Sequence, residues 1–209
     1  MRHGRGEINH EELKETLSFQ ETSGAILRRG SEIATRESLK REQEMIECVN
    51  RGIGAEKAIN GNGWFTPDCN LNPEQKNVIA FALNSRDSAI NISGAAGTGK
   101  TATLQELLRG ILESGHEILA VAPTRSAVEE LQKVGFADAI TVERLLQDQQ
   151  KQKRGGVLIV DEAGMISSRQ MFDLLKLAEK QSCRIIFSGD TKGNLRKPRM
   201  LYFKRVRPA

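Results

Sequence analysis

Two stretches hold residues whose types and spacing could do chemistry together. In Ala89–Thr101, Ala-Ile-Asn-Ile-Ser-Gly-Ala-Ala-Gly-Thr-Gly-Lys-Thr, Gly94 and the run Gly99-Lys100-Thr101 meet the phosphate-loop spacing G-x-x-x-x-G-K-[ST]. Gly94, Gly97 and Gly99 open backbone conformations closed to other residues, so N–H groups along Gly94, Ala95, Ala96, Gly97, Thr98 and Gly99 can turn inward on a polyanion. Lys100 would reach the outer phosphates, and the Thr101 hydroxyl would ligate Mg2+. Taken alone, these residues would also suit a glycine-rich turn before an amphipathic helix. The second stretch, Val157-Leu-Ile-Val-Asp161-Glu162, sets two acids after four apolar residues. Asp161 would hold Mg2+ directly or through water, opposite Thr101, and Glu162 would orient and deprotonate an attacking water. Adjacent acids at a strand end are otherwise solvated or cap a helix. Downstream of a phosphate loop they complete a catalytic set of Lys100, Thr101, Asp161 and Glu162.

The elements that must position these groups follow from periodicity. Ala89 to Ile92 is β-rich, and Leu104, Leu107, Leu108, Ile111 and Leu112 recur on one face of a helix that begins near Gly99 and turns its positive end to the loop. Upstream, Asn72 caps a helix with Pro73 at its first position and Val78, Ile79, Ala82 and Leu83 facing inward. Downstream come a strand over Glu117–Ala122, a helix over 125–134, a short helix near Val142–Gln149 and the strand ending in Asp161-Glu162. A helix capped by Ser167 or Ser168 then carries Met171, Leu174, Leu175 and Ala178, before a strand over Arg184–Asp190. Apolar strands alternating with helices predict a parallel sheet covered on both faces, with ligands at the carboxyl ends of the strands.

Before this lies a helix from an Asn9 cap, with Glu12 as capping partner, to about Phe19. Two short strands around Gly30 and a helix over Arg36–Arg51, capped by Thr35, follow; its Leu39, Met45, Ile46 and Val49 share a face. The domain organisation read from this is a small N-terminal lobe over 1–59, a turn-rich linker over 60–71, an ATPase domain over 72–191 and a basic irregular tail over 192–209.

Composition narrows the classes. The net charge of +4 comes from the tail: residues 192–209 hold seven of the 31 Lys and Arg and no acid, leaving 24 basic against 27 acidic residues elsewhere. Global charge is therefore weak support for a nucleic-acid groove. Cys48, Cys69 and Cys183 lack the spacing of a disulfide framework or zinc site, and His3, His10 and His116 read as surface or structural residues. No apolar run approaches the roughly 20 residues that span a bilayer and no signal region opens the chain, so the expectation is a cytoplasmic protein without a membrane partner.

Six ordered motifs then carry a resemblance: Leu71-Asn-Pro-Glu-Gln75, Gly94–Thr101, Ala122-Pro-Thr-Arg125, Thr141-Val-Glu-Arg-Leu-Leu146, Val160-Asp-Glu-Ala163 and Gly189-Asp190. Together they resemble the first RecA-like, P-loop NTPase domain of a superfamily-1 DNA helicase, above all the helicase region of conjugative relaxase–helicases, over most of residues 7–192. The resemblance implies ATP and Mg2+ as cofactors and single-stranded DNA as partner, with other conjugation or helicase components as further candidates. It implies that Gln75 reads the adenine edge, although the Asn72-x-x-Gln75 spacing equally makes it a helix-capping partner, and both could hold. Pro123, Thr124 and Arg125 would line the strand path, and Asp190 would sense the γ-phosphate. Thr141 and Arg144 would also touch DNA, against an equal reading as a helix cap with one exposed charge.

The departures shape the expected function. The glutamine that usually follows the Gly-Asp pair is replaced by Gly193, the later motifs and second RecA-like domain do not appear, and no nuclease signature precedes the motor. The sequence-based expectation is an ATP-binding motor fragment with weak or no hydrolysis of its own. The alternative is a non-enzymatic remnant that binds nucleic acid or a partner through its basic tail. A phosphate-loop kinase or transport ATPase is disfavoured, because no acceptor lid or transporter signature is present.

Overall fold

The computed structural model describes residues 9–30, 32–61, 63, 65–94 and 99–189. The predictions made for Ala95, Ala96, Gly97, Thr98, Asp190 and the 192–209 tail lie outside the described residues. The chain divides into two compact units, Met1–Glu44 and Met45–Ala209.

In the first unit, α1 (His10–Thr22) starts at Asn9, whose side chain accepts the Glu11 N–H at 3.1 Å. Strands β1 (Ile26–Arg29) and β2 (Glu32–Thr35) then pair antiparallel as a hairpin, with Ile26 opposite Thr35 and Arg29 opposite Glu32. The predicted cap is present: the Thr35 hydroxyl accepts the Ser38 N–H at the start of α2 (Arg36–Arg51).

The second unit is built on a five-stranded parallel sheet. Its strands are β3 (Ala89–Ser93), β4 (Ile118–Ala122), β5 (Ile140–Thr141), β6 (Val157–Val160) and β7 (Arg184–Gly189), in the spatial order β3-β7-β6-β4-β5. Because successive side chains in a strand alternate between faces, β6 sends Leu158 and Val160 to one side and Val157 and Ile159 to the other. The first side packs on α6 (Val142–Gln147), α7 (Ser168–Gln181) and the end of α2, through Val142, Leu145, Leu174, Leu175, Met45 and Val49. The opposite side packs on α3 (Pro73–Asn84), α4 (Lys100–Glu113) and α5 (Arg125–Lys133), through Ile79, Leu83, Leu107, Ile111 and Leu131. Each such large apolar side chain contributes about 1.5–3 kcal/mol on leaving water. The predicted α/β sheet with helices on both faces is the observed fold.

Several local expectations are corrected. Leu112 is 54% exposed, because the inward stripe of α4 ends at Ile111, two residues before the helix does. On α2 the buried residues are Met45, Cys48 and Val49, while Leu39 and Ile46 are exposed: each residue advances about 100° around the helix, so Leu39 and Ile46 share a direction to one side of the buried face. The strand before the two acids stops at Val160, so Asp161 and Glu162 begin the following turn. Within the expected linker, Phe65, Thr66 and Asp68 contact α4: the Arg109 guanidinium lies 4.4 Å over the Phe65 ring and donates to the Thr66 carbonyl at 2.9 Å, and Glu106 accepts the Asp68 N–H at 2.7 Å.

Candidate nucleotide site

The sheet order brings the two chemistry-bearing stretches to one edge of the fold. β7 lies between β3 and β6, with Ser93 in register with Gly189 and Val160 with Phe187. The chain leaves β3 into Gly94, and leaves β6 into Asp161 and Glu162, at the same end of the sheet.

Gly189 is the joint between the two. Its carbonyl accepts the Gly94 N–H at 3.3 Å, and a Cβ built on it would lie 3.3 Å from the Gly164 nitrogen and 3.5 Å from that of Ala163. A side chain at this position would press against the turn that follows Glu162. The sequence shows Gly189 only as part of a Gly-Asp pair; its role as a spacer depends on the order of the strands.

Gly99 begins α4 in the left-handed region, φ 76 and ψ 33, a conformation that favours glycine. Its carbonyl accepts the Thr103 N–H at 3.1 Å, the Thr103 hydroxyl at 3.2 Å and the Gln75 side-chain N–H at 3.2 Å. Lys100 and Thr101 follow on the first turn, where the helix leaves its N–H groups unpaired. Among the described residues, the side chains of Lys100, Thr101, Asp161 and Glu162 make no hydrogen bond or ion pair. The Asp161 backbone is anchored by its N–H to the Val121 carbonyl at 2.9 Å. Glu162 is exposed and has φ 48 and ψ 34, a left-handed conformation that costs a non-glycine residue on the order of 1–2 kcal/mol.

Gln75 fills the capping role that its spacing allows. The capping box is complete: the Asn72 side chain accepts the Gln75 N–H at 2.8 Å, and Gln75 Oε1 accepts the Asn72 N–H at 2.9 Å. The same amide then reaches Gly99, a contact that residue spacing alone does not reveal.

The residues expected along a nucleic-acid path fall into two groups. Thr124 and Thr141 cap α5 and α6, their hydroxyls accepting the Ala127 and Arg144 N–H groups, both at 3.2 Å. Arg125, Thr141 and Arg144 line one cavity of about 1310 Å3 beside the β4–β5 edge; Pro123 and Thr124 are not part of its wall. Glu129, Asp138 and Glu143 share that wall, so its charge is mixed.

The other candidates are structural. His116 is half-buried with Nε2 3.1 Å from the Ile59 carbonyl. Cys48 and Cys183 are buried and Cys69 is exposed, all as free thiols; burial pushes the Cys183 thiol up to about 12. Among the described residues, no cluster of three or more His, Cys, Asp or Glu could by itself hold a metal ion, and no helix is long and apolar enough to cross a membrane.

Residues 70–194, more than half of the chain, match the family described as AAA domain. The DNA-binding protein SMUBP-2 of Mesocricetus auratus is 43% identical over 61 residues, 29% of this chain and 6% of that protein. The ATP-dependent DNA helicase dda of Enterobacteria phage T4 is 29% identical over 132 residues, covering 56% of this chain and 30% of its own. The probable conjugal transfer protein TraA of Sinorhizobium fredii is 27% identical over 172 residues, covering 78% and 16% respectively. The chain thus spans less than a third of the length of each of these relatives. Among solved structures, the UvsW helicase of bacteriophage T4 covers 92% of this chain and 73% of its own at 12% identity and a TM-score of 0.46, too loose a match to bear on function. The chain belongs to the AAA-domain family, as a RecA-like domain of the superfamily-1 helicase kind.

Proposed function

We propose that this chain is an ATP-binding motor domain of a DNA helicase of the conjugative relaxase type, which binds Mg2+-ATP and single-stranded DNA and hydrolyses ATP weakly by itself. The observation that carries the reading is the convergence at one sheet end of the Gly99–Thr101 helix start and the Asp161-Glu162 turn, on either side of Gly189. The donor set fits the group it would take. A lysine and unpaired helix-start N–H groups suit phosphate oxygens, and a hydroxyl opposite a carboxylate suits Mg2+.

Bound Mg2+-ATP supplies a phosphoanhydride whose terminal phosphoryl group can pass to water. Lys100 would neutralise charge on its outer phosphates, while Thr101 and Asp161 would hold the metal. Glu162, held out from the sheet by its left-handed backbone, accepts the proton of the attacking water. The motif spacing assigns Ala95 to Thr98 to the same phosphates, and the resemblance would make Asp190 the sensor of the γ-phosphate. Arg125 and Arg144 contact DNA phosphates without reading sequence, with Pro123, Thr124 and Thr141 shaping the path. The domain organisation proposed with this is an N-terminal lobe over 1–59, a linker over 60–71, the motor over 72–191 and a tail over 192–209. A cytoplasmic location and contact with other conjugation components belong to the same proposal.

The experiment is Mg2+-ATP turnover by the purified chain, with and without single-stranded DNA. Turnover that rises with DNA and disappears in Glu162→Gln is the expected result. An ATP affinity unchanged by Lys100→Ala would overturn the assignment of the site.

A further inference from the structure

Gln75 sits where three structural demands meet. A side-chain amide offers one acceptor oxygen and two N–H donors, and its two ends cannot exchange roles. Here Oε1 faces a donor, the Asn72 N–H at 2.9 Å, and Nε2 faces an acceptor, the Gly99 carbonyl at 3.2 Å. The partners therefore fix the orientation of the amide without ambiguity. The Asn72 side chain locks the arrangement by accepting the Gln75 backbone N–H at 2.8 Å.

The far end of this link matters because of what the Gly99 carbonyl controls. That carbonyl and the Lys100 N–H belong to one planar trans peptide, so they point in opposite directions. Three donors, Gln75 Nε2, the Thr103 N–H and the Thr103 hydroxyl, converge on the carbonyl and hold it toward α3 and α4. The Lys100 N–H is thereby turned out of the helix start, the direction from which an anion approaches. The contact is also tight. A Cβ at Gly99 would come within 2.3 Å of Gln75 Nε2, so glycine at 99 and an amide at 75 fit as a pair.

We propose that Gln75 is a positioning residue for the phosphate-binding turn: its amide ties the capped start of α3 to the Gly99 carbonyl and holds the Lys100 N–H ready for any triphosphate, whatever its base. This rests on the nucleotide-site reading above. It assigns Gln75 a task different from recognition of the adenine edge. The linkage also joins α3 to the first turn of α4, so an event at one helix start is felt at the other.

The test uses the full chain, Gln75→Met, which keeps the side-chain length and removes the hydrogen bonds, and Asn72→Ala, which breaks the cap and leaves the Gln75 amide in place. Calorimetry measures the affinity of each for Mg2+ complexes of ATP, GTP and inorganic tripolyphosphate, well below the melting temperature. The expected result for Gln75→Met is an equal loss for all three ligands, roughly threefold to tenfold for one hydrogen bond. Asn72→Ala should lower the melting temperature and keep tripolyphosphate affinity within about twofold. Hydrogen exchange in the ligand-free protein provides a second readout: amides of Lys100–Thr103 should exchange faster in Gln75→Met than in Asn72→Ala. Loss confined to ATP would overturn the proposal in favour of base recognition, and an equal affinity loss in both variants would reduce it to helix capping. If the unaltered chain bound none of the three ligands, the nucleotide-site reading itself would fall; an unaltered chain that binds them beside an unaffected Gln75→Met removes only the positioning role.

Discussion

The two ends of the five-stranded sheet differ in how their polar groups are used. Where β7 begins, those groups bond to one another, Arg184 Nε excepted. Arg184, only 6% exposed, donates to the Ser85 carbonyl at 2.9 Å and the Lys57 carbonyl at 2.6 Å, and so fastens two loops to the sheet. Beside it the Ser88 N–H bonds the Gly52 carbonyl at 2.8 Å, and a Cβ on Gly52 would come 1.7 Å from the Ser88 hydroxyl. Where the strands finish, the groups are left open. Lys100, Thr101, Asp161 and Glu162 have no side-chain partner among the described residues, and Glu162 holds a left-handed backbone with φ 48. The difference teaches where each kind of residue does its work: one end closes the fold, and the other keeps charged groups available for a ligand, while left-handed backbone occurs at both, at Ser182 and Glu162.

The sharpest way to break this contrast is Glu162→Gln. Turnover should fall about 10^2- to 10^4-fold, the usual contribution of a general base, while ATP affinity and melting temperature stay unchanged. A variant that instead melts early would make Glu162 part of the frame. The converse is Arg184→Ala, which leaves two carbonyls without their donor and should cost about 2–4 kcal/mol in urea unfolding. Its ATP affinity, measured where the variant is fully folded, should match the unaltered chain. Lys100→Ala should weaken ATP binding roughly tenfold to a hundredfold by calorimetry, with no change in unfolding.

The smallest effect belongs to the closed end and depends on pH. Burial raises the Cys183 thiol from its ordinary 9.0 to about 12, and that of Cys48 in the same direction, so the folded chain keeps protons that the unfolded chain releases. This contribution is complete below about pH 9 and is lost as pH rises toward 12, at no more than about 1.4 kcal/mol per pH unit for one thiol. Cys183→Ala should flatten that decline in denaturant titrations between pH 8 and 11.

The sequence announces the open end more clearly than the closed one, for a physical reason. Phosphate binding needs particular residues at fixed local spacing, and helix caps do too. Asn72 with Gln75, Thr35 and Ser167 with Gln170 all cap where their positions imply. The α2 boundaries Arg36 and Arg51 are legible from Thr35 and the glycines beyond. What depends on distant partners is not legible. β5 is two residues long and counts as a strand only because Ile140 and Thr141 pair with Val121 and Ala122. Arg184 reads as an ordinary charge before an apolar run, and its buried role appears only when loops 52–57 and 85–88 are brought beside it. Gly189 and the reach of Gln75 to Gly99 likewise depend on strand and helix placement.

The most direct measurement is amide hydrogen exchange across the chain with and without Mg2+-ATP. Slower exchange should be confined to the phosphate loop and first turn of α4 over 94–103, Asp161–Gly164 and Gly189–Asp190, with Lys57, Ser85–Ser88 and the start of β7 unchanged. Protection at the Arg184 end or along the cavity beside β5, with none at the start of α4, would contradict the assignment of the ligand to the open end of the sheet.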